Sequence, residues 1–267
     1  MMITSLANSR IKYIRKLSER KFREQQGEYY IEGLRIVGEA LEQNAELVTL
    51  LNAPDLLTSE FGQNLVGQAR EKGMEVLDLS PEVFAKLSLK EGPQGIAAVG
   101  RQSFTSISSL VPGEKDLWIA LDSVQDPGNL GTILRTGDAA GCRGVILLDH
   151  STDPYDPTAL RASMGAVFNL KIIKARLNEF SQWKEKTAIE VVGTSDKALI
   201  YYRDYYYPIP MVLLMGSEKT GLAPDYLRIC DEVVSIPMLG KSDSLNLAVA
   251  TGIVLYEIVH QSRMKTD

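Results

Sequence analysis

Leu121-Asp-Ser-Val-Gln-Asp-Pro-Gly-Asn-Leu-Gly-Thr-Ile-Leu-Arg-Thr136 closes an apolar run, Leu117–Leu121, with a polar, glycine-bearing turn and then a helix. Asp126 suits a helix cap and Pro127 the first helical turn, where a missing N–H costs nothing. Two later stretches share this grammar: Leu214-Met-Gly-Ser-Glu-Lys-Thr-Gly-Leu222 and Ser235-Ile-Pro-Met-Leu-Gly-Lys-Ser-Asp-Ser-Leu-Asn-Leu-Ala248. A short apolar strand feeding a polar loop is how an α/β sheet presents chemistry at the carboxyl ends of its strands.

Outward from these stretches the same alternation fills the second half of the chain. Leu117–Leu121, Gly144–Leu148, Leu170–Ile173, Ile189–Val192, Met211–Met215 and Glu232–Ile236 read as strands. Gly128–Ala140, Thr158–Ala166, Leu177–Lys186 and Ser244–Gln261 read as helices, the last capped by Ser242, Asp243 or Ser244. Upstream, Gln102–Glu114 is rich in Ser, Thr, Pro and Gly and reads as a linker. Before it, strands at Tyr29–Ile31, Leu47–Leu51, Met74–Leu79 and Gly95–Val99 alternate with helices at Leu34–Leu41, Phe61–Lys72 and one opened by Ser80-Pro81. The expected organisation is therefore a basic helix over 1–24, a small α/β domain over 25–102, a linker over 103–115 and a larger α/β domain over 116–267. The tyrosine-rich Tyr201–Tyr207 reads as a half-buried loop or strand.

Composition narrows the function classes. With 45% hydrophobic and 24% charged residues, the 267-residue chain is that of a globular protein. No apolar run nears the roughly 20 residues that span a bilayer, and no signal-peptide core precedes Arg10, so no membrane role and a cytoplasmic location are expected. Two separated cysteines and two histidines make no metal site and are a poor basis for a hydrolytic triad. The net charge of −5 is uneven: residues 1–24 hold Arg10, Lys12, Arg15, Lys16, Arg20, Lys21 and Arg23 against two glutamates. That basic helix, with Ile11, Ile14 and Leu17 at helical spacing, is a candidate RNA-binding arm or a solvated face.

The candidate chemistry lies in the three polar loops. Gly216–Gly221 has the glycine spacing of a phosphate loop, but Leu222 stands where the lysine belongs, so an ATP site is rejected. No G-x-G-x-x-G follows the first strand of the larger domain, which disfavours a common dinucleotide fold. Asn129 and Arg135 lie about 240° apart around a helix and do not share a face.

In order, spacing and residues, the three stretches resemble the signature motifs of the SpoU (TrmH) family of RNA 2′-O-ribose methyltransferases, within the SPOUT superfamily. N-x-G-x-x-x-R is present as Asn129, Gly131 and Arg135, G-x-E-x-x-G as Gly216, Glu218 and Gly221, and S-x-N as Ser244 and Asn246. The resemblance implies methyl transfer from S-adenosylmethionine to a ribose hydroxyl, with Arg135 central and Asn129, Glu218, Ser244 and Asn246 around it. It also implies cofactor contacts from Thr194, Gly216, Ile236, Met238 and Leu245. A SPOUT α/β domain with a deep trefoil knot and a homodimer that completes the active site follow from it as well. The N-terminal domain resembles the ribosomal-protein-like substrate-binding domain of such enzymes, which favours rRNA, of the large subunit, over tRNA. A guanidinium is charged at ordinary pH. Binding a phosphate and stabilising a developing alkoxide therefore suit Arg135 better than acting as the base. The rival readings are a tRNA 2′-O-methyltransferase, a non-catalytic RNA-binding assembly factor of the same fold, and a nucleotide-binding enzyme of ordinary doubly wound type.

Overall fold

The structure, a computed structural model, describes residues 2–89 and 91–264. They form two compact units, one of residues 1–102 with 155–168 and the other of residues 103–154 with 169–267.

The first unit begins with α1 (Ser9–Lys16), α2 (Arg20–Gln26), β1 (Glu28–Glu32) and α3 (Leu34–Glu42). It continues through β2 (Leu47–Asn52), α4 (Glu60–Glu71), β3 (Glu75–Asp78), α5 (Pro81–Leu87) and β4 (Ile96–Arg101). The strands order as β1-β4-β2-β3, with β4 antiparallel to both neighbours and β2 parallel to β3. Ile11, Ile14 and Leu17 bury against Leu51, Phe84 and Val99, so α1 packs by the face its spacing predicts. Ser80 caps α5 by accepting from the Val83 N–H, with Pro81 at the first position.

The basic helix expected over 1–24 is two helices. Leu17 turns inward, Glu19 is extended, and the chain restarts at Arg20. Arg23 explains the break. Its guanidinium is wholly buried and donates to the Leu17 and Ser18 carbonyls at 3.0 and 2.8 Å, groups that a continuous helix would have used itself. It also pairs with Asp156 at 3.1 Å. Asp156 in turn caps α7 (Pro157–Ser163) through the Thr158 N–H, and Tyr155 stacks on Tyr29 with centroids 4.8 Å apart. These contacts bind residues 155–168 to the first unit. Arg23 is therefore a structural arginine, and its expected place in an RNA-contacting face is corrected.

The second unit carries β5 (Leu117–Asp122), α6 (Pro127–Ala139), β6 (Gly144–Leu148), β7 (Lys171–Ala175), α8 (Leu177–Thr187) and β8 (Glu190–Thr194). It ends with β9 (Ile200–Tyr201), β10 (Met211–Met215), α9 (Pro224–Ile229), β11 (Glu232–Ser235) and α10 (Leu247–Arg263). Its seven-stranded sheet is parallel throughout, in the order β7-β6-β5-β10-β8-β11-β9. Central β5 and β10 are buried along their whole length, as the unbroken apolar runs Leu117–Leu121 and Met211–Met215 require. The chain builds outward from β5 to β7 on one side and later fills the other side beginning at β8. The strand order therefore reverses between β5 and β10, which opens a crevice at their carboxyl ends.

Three local features differ from the sequence reading. α10 starts at Leu247, with Asn246 as its cap, instead of at Ser244. The short α9 and β9 have too few residues to show a period. The Ser- and Pro-rich segment before β5 is packed: Thr105 bridges Ile173, Ile107 and Leu110 are buried, and the Leu110 carbonyl accepts from Trp183 Nε1 at 2.8 Å. The tyrosine cluster is a half-buried loop as expected, with Tyr207 inside and Tyr206 64% exposed.

Arg23→Ala leaves two carbonyls and a carboxylate without their shared donor and is expected to destabilise the fold by about 3 kcal/mol or more. Arg23→Lys recovers little, because one ammonium cannot reproduce the fork. Denaturant midpoints of the two variants check this, and wild-type values for both would contradict it.

Candidate active site

Three loops leave the carboxyl edge of the parallel sheet: 123–126 after β5, 216–223 after its neighbour β10, and 236–246 after β11, which lies one strand further on, beyond β8. A continuous chain of polar contacts ties them together. Asn246 Oδ1 accepts from the N–H groups of Ala248 and Val249 at the start of α10, at 2.9 and 3.3 Å. Its Nδ2 donates to Asn129 Oδ1 at 2.9 Å. Asn129 Nδ2 donates to Glu218 Oε1 at 3.1 Å. The Glu218 carboxylate also accepts from the backbone N–H groups of Gln125 and Asp126 at 3.2 and 3.3 Å. Asp126 caps α6 through the Asn129 N–H at 2.6 Å, so the residue that starts α6 also aims the Asn129 amide.

This arrangement fixes the charge state of Glu218. Partial burial pushes its pKa up, but donation from Asn129 and from backbone N–H groups, including those of Gln125 and Asp126, outweighs burial and holds the carboxyl below its ordinary value. The site thus holds a stable anion flanked by two oriented amides.

Gly216 is required by its own loop. A side chain there would strike the backbone of Gly221 and Leu222, because Ser217 and Gly221 exchange backbone hydrogen bonds at 3.0 and 3.1 Å across the turn. Gly221 itself has φ +66°, which favours glycine. The Thr194 hydroxyl, at the end of β8, donates to Met215 Sδ at 3.5 Å, so the ends of β8 and β10 meet. Ile236 and Met238 are half-buried just after β11, and Ser244 and Leu245 are exposed before α10.

Among the described residues, no backbone N–H from Met238 to Asn246 donates a hydrogen bond. An unpaired backbone edge beside the apolar surface of Leu245, 38% exposed, and Leu239, 95% exposed, suits a ligand that is partly purine and partly polar. These strand-end residues fit the adenosine of S-adenosylmethionine.

Arg135 stands apart. It is exposed on α6 and makes no hydrogen bond or ion pair among the described residues, a free cation outside the Asn–Glu chain. Of the basic N-terminal residues, Arg10 is held by Glu75 and Thr49, Arg20 by Glu24, and Lys16 lies 5.7 Å from the Phe22 ring centroid. Lys12, Arg15 and Lys21 are exposed and unpaired among the described residues. The sequence reading missed Gln125, whose Nε2 bridges the Ser123 and His150 carbonyls at 2.9 Å each, and buried Asp122, which accepts from the Ala223 N–H at 3.1 Å. Both lie inside the quoted Leu121–Thr136 stretch, but only the fold shows their partners.

A parallel α/β sheet whose strand-end loops are clamped around an anion and two amides defines an α/β enzyme with its chemistry on the loops. Comparison makes this specific. The SpoU rRNA Methylase family matches residues 116–256, and the MRM3-like substrate binding domain matches residues 8–98. A 23S rRNA (uridine(2479)-2′-O)-methyltransferase of Streptomyces viridochromogenes is 32% identical over 92% of this chain and 87% of its own. A 23S rRNA (guanosine(2553)-2′-O)-methyltransferase of Bacillus subtilis is 30% identical over 96% and 98%. An AdoMet-bound rRNA methyltransferase from Sinorhizobium meliloti superposes with a TM-score of 0.90 at 36% identity, covering 97% of each chain. The chain belongs to the SpoU rRNA methylase family, as its three motifs lead one to expect.

Because the folded-state pKa of Glu218 is depressed, its ionised form stabilises the clamp above the unfolded carboxyl pKa of about 4.3. That contribution is lost as pH falls through the lower, folded value. The difference in melting temperature between wild type and Glu218→Gln is therefore expected to be constant near neutrality and to shrink below about pH 4. A difference that grows on acidification would contradict the depressed pKa.

Proposed function

We propose that this protein is a cytoplasmic RNA methyltransferase that uses S-adenosylmethionine to methylate a ribose 2′-hydroxyl of large-subunit rRNA. The observation that carries the reading is the Asn246–Asn129–Glu218 chain, which joins residues of all three motifs at one strand edge. The two relatives, 23S rRNA 2′-O-methyltransferases by name and similar over nearly the whole chain, favour rRNA over tRNA. The cofactor, when bound, supplies the methyl group of a sulfonium. The residues of this chain orient and neutralise. Gly216, Thr194, Ile236, Met238 and Leu245 offer the strand-end surface for the adenosine. Ser244, Asn246 and Asn129 orient polar groups of the ribose. Glu218 holds Asn129 in one rotamer through its fixed charge. Arg135, free of partners among the described residues, binds the phosphate next to the reacting ribose and stabilises negative charge on the 2′-oxygen as its proton leaves.

The exposure of Arg135 outside the polar chain favours a homodimer in which a second copy completes the site. The deep C-terminal knot belongs to the same reading. Of the earlier N-terminal set, Lys12, Arg15, Lys16 and Lys21 keep side chains open to an RNA phosphate.

Incubation with labelled S-adenosylmethionine and rRNA or tRNA from cells lacking the gene is expected to label large-subunit rRNA, with the modified linkage resistant to alkali. Arg135→Ala is expected to lose about a hundredfold or more in rate. If Arg135→Lys stays active with its pH limb moved to lower pH, the general-base role gains; an unmoved limb favours charge stabilisation. Cofactor binding without label in any RNA would favour the assembly-factor reading.

A further inference from the structure

The first unit contains two adjoining clefts that share Tyr30 and Leu89 as common walls. One carries Arg35 from α3 and Arg161 from α7. The other carries Arg15 from α1 and Lys86 from α5. Four elements far apart in sequence thus bring four cations to one place. All four side chains are exposed, and none makes a hydrogen bond or ion pair among the described residues. The acid in the wall, Glu32, is turned to other work: it is buried and accepts from the Ser88 hydroxyl at 2.5 Å and the Leu89 N–H at 2.9 Å.

Tyr30 is a second, independent sign of a ligand. It is 6% exposed, yet its hydroxyl has no hydrogen-bond partner among the described residues. Buried polar groups are almost always paired, so an orphan hydroxyl in the wall of two clefts marks a place where a partner is absent from the isolated chain. Burial, and then the Glu32 carboxylate, push the Tyr30 pKa well above its ordinary value, which keeps the hydroxyl a donor.

The charge decides the class of ligand. Unpaired cations spaced around a partly apolar trough, in a chain of net charge −5, concentrate positive potential where a polyanion with planar apolar faces is received. We propose that these clefts seat the substrate RNA, with phosphates on Arg15, Lys86, Arg35 and Arg161 and the Tyr30 hydroxyl donating to a nucleotide oxygen. This rests on the reading that the substrate is RNA. It moves the RNA-binding surface from the whole basic N-terminal segment to a trough of which Arg15 is one wall.

The test uses the full-length protein and an unmodified transcript of large-subunit rRNA, with affinity measured across a salt series and methyl transfer measured in parallel. Arg35→Gln with Arg161→Gln, and separately Arg15→Gln with Lys86→Gln, are each expected to weaken binding about tenfold and to flatten the salt dependence by about two units, one per phosphate contact. KM for RNA rises while kcat at saturating RNA is kept. The control pair Lys72→Gln with Arg143→Gln, on exposed positions elsewhere, leaves both unchanged. Tyr30→Phe, which removes only the orphan oxygen, is expected to keep or raise the melting temperature while lowering RNA affinity severalfold. Wild-type affinity and salt slope in both double variants, alongside normal methylation, would overturn the trough and leave the activity standing. Wild-type affinity in Tyr30→Phe would remove Tyr30 from the site. A wild-type protein that neither binds nor methylates rRNA would overturn the RNA reading and the trough with it.

Discussion

The Asn129 amide holds the site together. Its oxygen takes the Asn246 amide and its nitrogen serves the Glu218 carboxylate, so one planar group locks loops from three strands. Its orientation is not free, because each end has a single partner of the right polarity. Behind it, the start of α10 orients Asn246 and the start of α6 is capped by Asp126. Two helix ends, which must satisfy their first N–H groups in any case, are thereby made to position functional groups. This explains the residue types: an aspartate, two asparagines and a glutamate each bond a backbone N–H or a neighbouring amide where the loops meet.

The sheet order makes this possible. β5 and β10 lie side by side although β6, β7, β8 and β9 come between them in sequence, so the Gln125–Asp126 backbone can reach Glu218. β5 and β10 pair in parallel register, from Leu117 opposite Met211 to Leu121 opposite Met215, which fixes the bases of the loops that follow them. The charge of Glu218 is then kept by the same donors that fix its place.

The long periodic elements were legible from the sequence. Gly144–Leu148 and Met211–Met215 have the predicted bounds, since unbroken apolar runs leave little choice. The three loops were legible as a set because each pairs a strand with glycine and polar residues. What was hidden depends on partners distant in sequence. Arg23 looks like one more cation in a basic helix, and only Asp156, far along the chain, and the carbonyls of a broken turn reveal it as a core residue. Asn246 gave way to three equally good serine and aspartate caps in the sequence, and its contact with Asn129 decided between them. The separation of Arg135 from Asn129 around the helix was visible at once, and in the structure Asn129 joins the polar chain while Arg135 is exposed and takes no part in it.

The central claim is that Asn129, Asn246 and Glu218 act as one unit. A double-mutant cycle on methyl-transfer kcat/KM, with Asn129→Ala and Asn246→Ala singly and together, tests it most directly. The account predicts strong coupling, with the second substitution costing at least about 1 kcal/mol less in the presence of the first than alone. Additivity within about 0.5 kcal/mol would show two independent side chains and contradict it.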